Sequence, residues 1–390
     1  MYDNRVKFIT FQEPADFLKL RKAWEELSCS LDSETTVFAT PVWYENWWKH
    51  YGKGKELYLF TMWQEDRIVG IAPLMRSDLR LHGFRVKSIG FIQNNQALHN
   101  DFIVSPRFRE SFFENLLLSL FEQASLWDVL YLRNVSPEAK NQAFFQRVLD
   151  HQRRSWRIRR NDTDSPYLLP DGSWQDFLKK RTKRTQKSIR NICNRMEKAG
   201  QVLVKHVSTW DEYLACREDL FAVAQLSWAE SVGDSLGSSA NKEFYDSLSR
   251  DAAIKGWLSI WLLYLDDVAI AVEYHLKAFG REHALRGHYH PGFAALSPGT
   301  YLESRILESV FEGVESVKIY EFPGGFDSYK KKWSERSSPH ADVFVFRESF
   351  VSALVLLYEF RIIPGLKSAI GKMKSTRRRV ATSTMASVCV

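Results

Sequence analysis

Four ionisable side chains in the second half of the chain have the chemistry and the spacing to move protons. Glu273 and His275 alternate along one predicted strand, and His288 and His290 alternate along another, so each pair lies on one face of its strand. Burial of Glu273 in its apolar strand would raise the pKa of its carboxyl group and make it a better base. Glu273 and His288 are both candidates for a general base, and the alternative is that both are ordinary structural polar residues.

The period of the apolar positions predicts the elements that carry these residues. Residues 257–264 and 268–278 are rich in β-branched and aromatic residues and flank an Asp-Asp pair, which predicts a tight hairpin, and residues 283–289 predict a third antiparallel strand. After a loop at 291–300, residues 301–314 place apolar side chains at helical spacing. The unpaired backbone N–H groups at the start of such a helix favour an anion.

A further strand and a short helix follow this helix. Residues 316–322 predict the strand, Pro323-Gly324-Gly325 breaks it, and residues 327–333 predict the short helix. We expect Val343–Phe346 to close the same sheet. The order of elements indicates a mixed α/β fold.

This arrangement resembles the GNAT acyltransferase fold, and more narrowly the CelD/BcsL-type acetyltransferases, which are relatives of the FemAB peptidyltransferases. The resemblance rests on three runs, VAIAVEYHL (268–276), HYHPGFAALSPGTYLESRILE (288–308) and YEFPGGFDSYKKKW (320–333). The glycine-rich pyrophosphate loop of simple GNAT enzymes is absent, and Leu296-Ser297-Pro298-Gly299 stands in its place.

The resemblance implies direct transfer of an acyl group from acetyl-CoA or another acyl-CoA to an amine, with no metal and no covalent enzyme intermediate. Such a reaction takes a proton from the acceptor and benefits from a proton given to the leaving thiolate. The resemblance suggests Tyr329 as that proton donor, beside the candidates Glu273, His288 and His290. The predicted donor site consists of Ala294, Ala295, Leu296, Ser297, Gly299, Thr300, Tyr301 and Arg305.

Two pairs of segments in the 390-residue chain repeat each other without gaps. Residues 57–72 match residues 258–273 at an offset of 201, both as strand, acidic turn and strand, and residues 117–132 match residues 307–322 at an offset of 190. We therefore expect two tandem GNAT-like mixed-sheet domains, and the alternative is a chance match of two generic hairpins. In the first copy the loop before the helix lacks a glycine, so only the second copy is built to let a phosphate approach the backbone.

The acceptor site is predicted between the copies. The first copy offers hydrogen-bonding side chains in a polar loop, although that loop is equally well read as plain surface. Between the copies, residues 173–200 predict one helix that carries nine Lys or Arg and one acidic residue from Lys179 to Lys198. Its basic face would bind the phosphates of a nucleotide-linked acceptor or of coenzyme A, or an aminoacyl-tRNA, and the alternative is a solvated charged face. The predicted acceptor residues are Asn95, His99, Asp101, Arg184, Lys187 and Arg190.

Composition limits the class of protein. The chain is 45% apolar and 14% aromatic, with a net charge of +7, which supports packed cores and acidic partners. Its four cysteines show no metal-ligand spacing, which together with the lack of a signal peptide predicts a cytoplasmic protein. An apolar helix at 350–363 followed by a basic tail allows peripheral attachment to the inner membrane, and the alternative is a packed helix with a disordered tail.

The predicted organisation has four parts. Residues 1–168 form a degenerate GNAT-like domain, 169–205 a basic helical connector, 206–348 the acyltransferase domain, and 349–390 the C-terminal helix and tail. The resemblance implies N-acetylation or N-acylation of an amine, such as an amino sugar or nucleotide sugar in envelope or exopolysaccharide metabolism. Two alternatives stay open: a FemAB-like transfer from aminoacyl-tRNA, and a non-catalytic scaffold in polysaccharide synthesis.

Overall fold

The computed structural model describes residues 6–31, 34–81, 83–94, 96–162, 164–227, 236–313, 317–322, 324–325 and 329–365. Its strands, in chain order, are β1 (Val6–Phe11), β2 (Glu56–Gln64), β3 (Arg67–Leu81), β4 (Phe84–Phe91), β5 (Ile103–Val104), β6 (Val129–Val135), β7 (Ser155–Arg160), β8 (Ser165–Leu168), β9 (Val202–Val207), β10 (Leu258–Leu265), β11 (Val268–Ala278), β12 (Arg281–Tyr289), β13 (Ile319–Glu321), β14 (Arg336–Ser338) and β15 (Ala341–Phe346). They form two mixed sheets, so the expected α/β fold with two mixed-sheet halves is confirmed.

The two sheets have the same layout. The first follows the order β1-β2-β3-β4-β6-β15-β7, with β5 paired to β3, and the second follows β9-β10-β11-β12-β13-β8-β14. Each sheet contains one parallel pair, β4 with β6 and β12 with β13, and its other pairs are antiparallel. A parallel pair cannot be joined by a hairpin, so each pair is connected by a helical crossover.

The two halves exchange one strand each. β8 follows β7 in the chain but lies in the second sheet between β13 and β14, and β15 lies in the first sheet between β6 and β7. The prediction that Val343–Phe346 closes the second sheet was therefore wrong. All residues of β15 are buried, which suits a strand with neighbours on both edges, and both sheets offer such a place.

The helices are α1 (Asp16–Ser30), α2 (Pro41–Tyr51), α3 (Arg109–Glu122), α4 (Lys140–His151), α5 (Trp174–Lys179), α6 (Lys183–Glu197), α7 (Trp210–Leu226), α8 (Ser239–Ile254), α9 (Pro298–Glu312) and α10 (Phe350–Leu357), which continues as a π-helix over Tyr358–Ile362. One apolar core joins α1, α2, α7 and α8 to both sheets. α3 and α4 cover the first sheet, and α5, α6 and α9 cover the second. No helix among the described residues is long and apolar enough to cross a membrane.

Local sequence signals set the boundaries of two elements near the site. Asp266 and Asp267 have φ of 48° and 62°, as the tight β10–β11 hairpin requires. The basic segment, expected as one helix, forms α5 and α6 because the Thr182 hydroxyl accepts a hydrogen bond from the Thr185 N–H and starts a new helix. Both helices pack on the second sheet through residues such as Trp174 and Ile192.

Candidate active site

The described part of the chain encloses a cavity of about 1470 Å³ between the two halves. Its second-half wall is formed where β12 and β13 separate, because the two strands pair only from Arg281 to His283 and β12 then continues to Tyr289. The start of α9 closes this wall, and β7, the end of β6 and the segment after α10 form the opposite wall. A splayed parallel pair of this kind leaves backbone and side chains of both strands open to a ligand.

A buried carboxylate, Glu303, lies at the centre of the second-half wall. It is 1% exposed, and its two carboxyl oxygens lie within hydrogen-bond distance of the hydroxyl groups of Tyr320 (2.7 Å) and Tyr329 (2.9 Å). Burial and then the nearby charge of Glu273 raise the pKa of Glu303 to about 8. Glu303 is therefore a carboxylic acid at neutral pH that can release a proton.

Glu273 faces the same cavity from β11 and is 5% exposed. Its Oε2 atom lies 3.0 Å from His275 Nε2. The sequence had predicted that these two side chains share a strand face, and their contact confirms it. Glu273 and Glu303 together form a pair of buried carboxyl groups, the arrangement from which proton donors and acceptors are built in enzymes.

The two histidines of the second predicted pair have different environments. His288 lines the cavity and is 4% exposed, and burial, followed by the charge of Arg286, lowers its pKa to about 4, so its ring is neutral at pH 7. His290 lies past the end of β12, where its Nδ1 accepts a hydrogen bond from the Gly292 N–H at 3.0 Å and its ring contacts Phe293. His290 thus caps the 3₁₀ turn at Pro291–Leu296 and is not among the cavity-lining residues.

The start of α9 has the features of an anion site. Its N-terminal cap, Ser297, adopts a left-handed conformation (φ 57°) without a side-chain capping bond. Among the described residues, the backbone N–H groups of Gly299 and Thr300 have no acceptor, and both residues line the cavity. Arg195 of α6 donates a hydrogen bond to the Ser297 hydroxyl at 3.2 Å, which places a guanidinium group beside the helix start.

Four of the predicted donor-site residues, Ala294, Ser297, Gly299 and Thr300, line the cavity, and the other four do not. Leu296 packs on the apolar core between the second sheet and helices α5, α6 and α9. Tyr301 is buried beneath the guanidinium group of Arg305. Arg305 itself bonds Glu308 and the Cys193 sulfur. Ala295 is exposed on the 3₁₀ turn. Helical geometry explains why Tyr301 and Arg305 are set apart, since Gly299, Thr300 and, one turn on, Glu303 lie on the face of α9 that lines the cavity.

The predicted acceptor residues lie in three places. His99 and Asp101 line a smaller cavity of about 350 Å³, where burial raises the pKa of Asp101 to about 7. Arg184, Lys187 and Arg190 are exposed on α6 and have no ion-pair partner among the described residues. Asn95 lies outside the described residues. The chain thus does not gather these side chains at one point.

Sequence reasoning missed Glu303 and Tyr320. Glu303 lies three and four residues before Ile306 and Leu307, so it interrupts the apolar stripe of α9. A carboxylate inside an apolar stripe is a signal that the sequence did contain. Tyr320, in the short strand β13, gave no such signal because an aromatic residue is common in any buried strand.

Comparisons with known proteins agree with this geometry. Residues 183–331 match the family model described as Acetyltransferase (GNAT) domain, Acetyltransf_6. No curated protein matches the sequence significantly. The crystal structure of FemX is 11% identical, with a TM-score of 0.57 and 89% of this chain and 99% of that chain covered. The C-terminal domain (DUF2156) of an Agrobacterium fabrum protein assigned as a lysylphosphatidylglycerol synthetase is 10% identical, with a TM-score of 0.51 and 88% and 97% covered.

A tandem GNAT protein from the clavulanic acid biosynthesis pathway is 12% identical, with a TM-score of 0.47 and 88% and 99% of the two chains covered. At such identities, likeness to FemX shows the fold alone. The chain has a GNAT/FemAB-like fold, and the part of it that matches the GNAT-type acetyltransferase domain model lies in the second half. The narrower resemblance to CelD-type enzymes stays a prediction. No group of residues suited to a metal ion occurs in the described part of the chain.

Proposed function

We propose that the second half transfers an acyl group from acyl-CoA directly to the nitrogen of an amine acceptor. The observation that carries the proposal is the meeting of two features in one cavity: the unpaired amide groups at the start of α9, and the buried carboxyl pair Glu273 and Glu303. The first suits the diphosphate of the donor, and the second suits proton transfer beside its thioester.

Two protons leave the nitrogen of an ammonium acceptor, and one proton is supplied to the leaving thiolate. The ammonium gives its first proton to the Glu273 carboxylate, the free amine attacks the thioester carbonyl carbon, and the nitrogen releases its second proton to solvent as the amide forms. The carbon–sulfur bond breaks as the tetrahedral intermediate collapses, and the thiolate takes a proton from the Tyr329 hydroxyl. Glu303 can replace that proton, because its carboxyl group lies 2.9 Å from the Tyr329 oxygen and is protonated near neutral pH.

The donor would be held by backbone amides and nearby cations. The Gly299 and Thr300 N–H groups favour an anion at the positive end of the α9 dipole. Arg195 would pair with the same diphosphate as a charge-assisted donor. Because Pro298 occupies the first helical position and has no N–H, this site has fewer donors than a glycine-rich loop supplies.

The acceptor would enter from the first-half wall of the cavity. Arg133, Arg159 and Arg160 line that wall, and Arg159 is tied to Asp342 and Glu359 by ion pairs of 2.7 Å and 2.6 Å. An amino sugar, including one carried on a nucleotide, is the acceptor class we favour, since hydroxyl groups can bond to these side chains. We place the reaction in the cytoplasm, on the chain's lack of disulfide-like cysteine spacing.

The proposal is tested by donor binding and by thiol release. Acetyl-CoA at 100 times its dissociation constant should raise the free energy of unfolding by about 2.7 kcal/mol, measured by thermal shift. Free thiol should then appear when glucosamine or another amino sugar is added. The absence of any shift with acetyl-, succinyl- or longer acyl-CoA would contradict the donor assignment.

A second candidate, transfer of an aminoacyl group from charged tRNA, is favoured by one observation. Lys183, Arg184 and Lys187 lie at the start of α6, where the helix dipole repels cations, and the first turn has no acidic residue. Such an arrangement costs stability unless a polyanion binds there. A thermal shift with tRNA that is lost in the K183A/R184A/K187A variant, together with no response to acyl-CoA, would select this candidate.

A further inference from the structure

A buried histidine bridges two carboxylates beneath the candidate base. His275 is fully buried, its Nε2 lies 3.0 Å from Glu273 Oε2, and its Nδ1 lies 3.0 Å from Glu282 Oε1. An ionised carboxylate only accepts hydrogen bonds, and a neutral imidazole has only one N–H. Both contacts can be hydrogen bonds to ionised carboxylates only when the ring carries two protons and is an imidazolium cation.

The far end of this bridge is fixed by a further hydroxyl group. Ser259 on β10 donates to Glu282 Oε1 at 3.0 Å, and Glu282 is 3% exposed. The row therefore runs from Ser259 through Glu282 and His275 to Glu273, across three adjacent strands. Burial alone would lower the pKa of His275, but its hydrogen bonds to Glu273 and Glu282 outweigh burial and raise the pKa to about 10.

Other titratable groups face this row from each element packed on it. His206 of β9 lies 3.1 Å from the Ser259 hydroxyl, and Lys277 of β11 lies close enough to lower the pKa of Glu282. Glu303 of α9 and Tyr320 of β13 approach from the other side, with the Tyr320 ring 5.7 Å from that of His275. Among these neighbours only His275 bonds the Glu273 carboxylate within the described residues, so it is the group that sets the charge of Glu273.

We propose that His275 and Glu282 act as positioning residues that hold Glu273 ionised in a buried site, so that Glu273 and not Glu303 is the general base. This inference rests on the proposed acyl transfer. A buried carboxylate without a cation takes up a proton at neutral pH, and the base would then be lost. Glu282 compensates the charge of the imidazolium on its far side and fixes the ring orientation, so that Nε2 points at Glu273.

The row of side chains from Ser259 to Glu273 is called the relay below. The charge of its histidine can be measured without substrate. In protein labelled with ¹⁵N and ¹³C at histidine, the ring signals of His275, assigned by their absence from the His275→Gln variant, should be those of an imidazolium from pH 6 to beyond pH 9. In Glu282→Gln, the ring should lose its proton at lower pH. A His275 ring that is neutral at pH 7, or that titrates near the ordinary value of about 6.5, overturns the proposal.

Kinetics test the role of the relay. In His275→Gln, the acidic limb of the pH profile for acyl-CoA consumption should move to higher pH, so that the rate relative to the unaltered protein at the same pH falls about tenfold or more at pH 6.5 and recovers at pH 9. Glu273→Gln should be slow at every pH. His206→Gln is the matched control, because its ring bonds the Ser259 hydroxyl and is not hydrogen-bonded to Glu273 or Glu282, and its profile should not move.

An equal loss at all pH values in His275→Gln would mean a purely structural role and would overturn the proposal. Glu282→Gln offers a milder perturbation if His275→Gln does not fold. Failure of the unaltered protein to consume acyl-CoA with any amine would remove the proposed function. The ring signals of His275 would still decide whether the relay is charged, so the two failures are separate results.

Discussion

The two halves have the same backbone plan and opposite interiors. The β2–β3 hairpin carries a bulge between Met62 and Trp63, and the β10–β11 hairpin carries one between Leu263 and Tyr264, at the same offset of 201. The turn residues Glu65 and Asp266 both have left-handed backbones, again 201 apart. The tandem arrangement predicted from the repeated segments is therefore confirmed down to individual pairs in the sheets.

The two halves carry chemically different residues at five aligned positions. In the second half they form the carboxylate site and its supports: Glu273, His275, Glu282, Glu303 and Tyr320. In the first half, the sheet registers and the same offsets place apolar residues there, each at most 1% exposed: Ala72, Leu74, Ile89, Phe113 and Leu130. The first half stabilises its core with apolar burial, whereas the second half accepts buried charge, which proteins keep where function requires it.

The helix starts differ in the same way. Arg109, the residue aligned with Gly299, is buried at the start of α3 and bonds Glu34 and Asn141. The loop before α3 also bonds β6, where the Asn100 N–H donates to the Asn134 carbonyl at 3.0 Å. The corresponding space in the first half is thus only the smaller cavity of about 350 Å³, which Arg109, Glu34 and Asn141 line, and the first half serves as a wall of the larger cavity.

Replacing the candidate base should give the largest effect. Glu273→Gln removes the proton acceptor while keeping the size of the side chain, so kcat should fall by about 10²- to 10⁴-fold. The fall in kcat is measured from the rate of acyl-CoA consumption in a stopped assay. The matched first-half change, Leu74→Met at the position aligned with His275, should leave kcat unaltered. An equal loss of kcat in both variants would contradict the assignment of the catalytic residues to the second half.

Phe113→Ala is the complementary test in the first half. Phe113 is fully buried and packs against Phe102 and Phe145, so the free energy of unfolding should fall by about 3–5 kcal/mol. Urea denaturation gives this value. The kcat of the folded variant should not change, and a catalytic loss at unaltered stability would show that the first half takes part in the chemistry.

Gly299→Arg copies the first-half helix start onto the second. The new side chain should occupy the mouth of the donor site and abolish the thermal shift with acetyl-CoA, about 2.7 kcal/mol at 100 times the dissociation constant in the unaltered protein. Gly299→Ala is the control, because an added Cβ would meet only the Tyr289 ring, at 3.9 Å. A full shift in the arginine variant would place the donor elsewhere.

A last expected effect is a change in the pH dependence of stability. The pKa of Glu303 rises from 4.5 to about 8 on folding, so the native state binds more protons than the unfolded state between these values. The free energy of unfolding therefore falls as pH rises through that window. Glu303→Gln should remove this decline and melt at higher temperature than the unaltered protein at pH 8 and above. If Glu303→Gln and the unaltered protein had equal Tm values across this pH range, Glu303 would be ionised in both the folded and the unfolded state.

Some residues of the site could be predicted from the sequence. Alternation along β11 placed Glu273 and His275 together, and the resemblance to the GNAT-type enzymes suggested Tyr329, which bonds Glu303. The partners Glu282 and Tyr320 could not be predicted, because they come from neighbouring strands whose register depends on how the sheet assembles. The roles assigned to all of these residues stay proposals.

By itself, the sequence determined the tandem plan, the hairpins and the alternation that places Glu273 beside His275, because each is set by a repeat, a turn or a short period along the chain. Tertiary structure alone decided that β8 and β15 cross between the halves, since a short strand can pair with either sheet. Tertiary structure also decided that the carboxyl groups of Glu273, Glu282 and Glu303 lie in one buried site. Burial strengthens their interactions, because charged groups far apart in the chain interact strongly only when the fold removes the water between them.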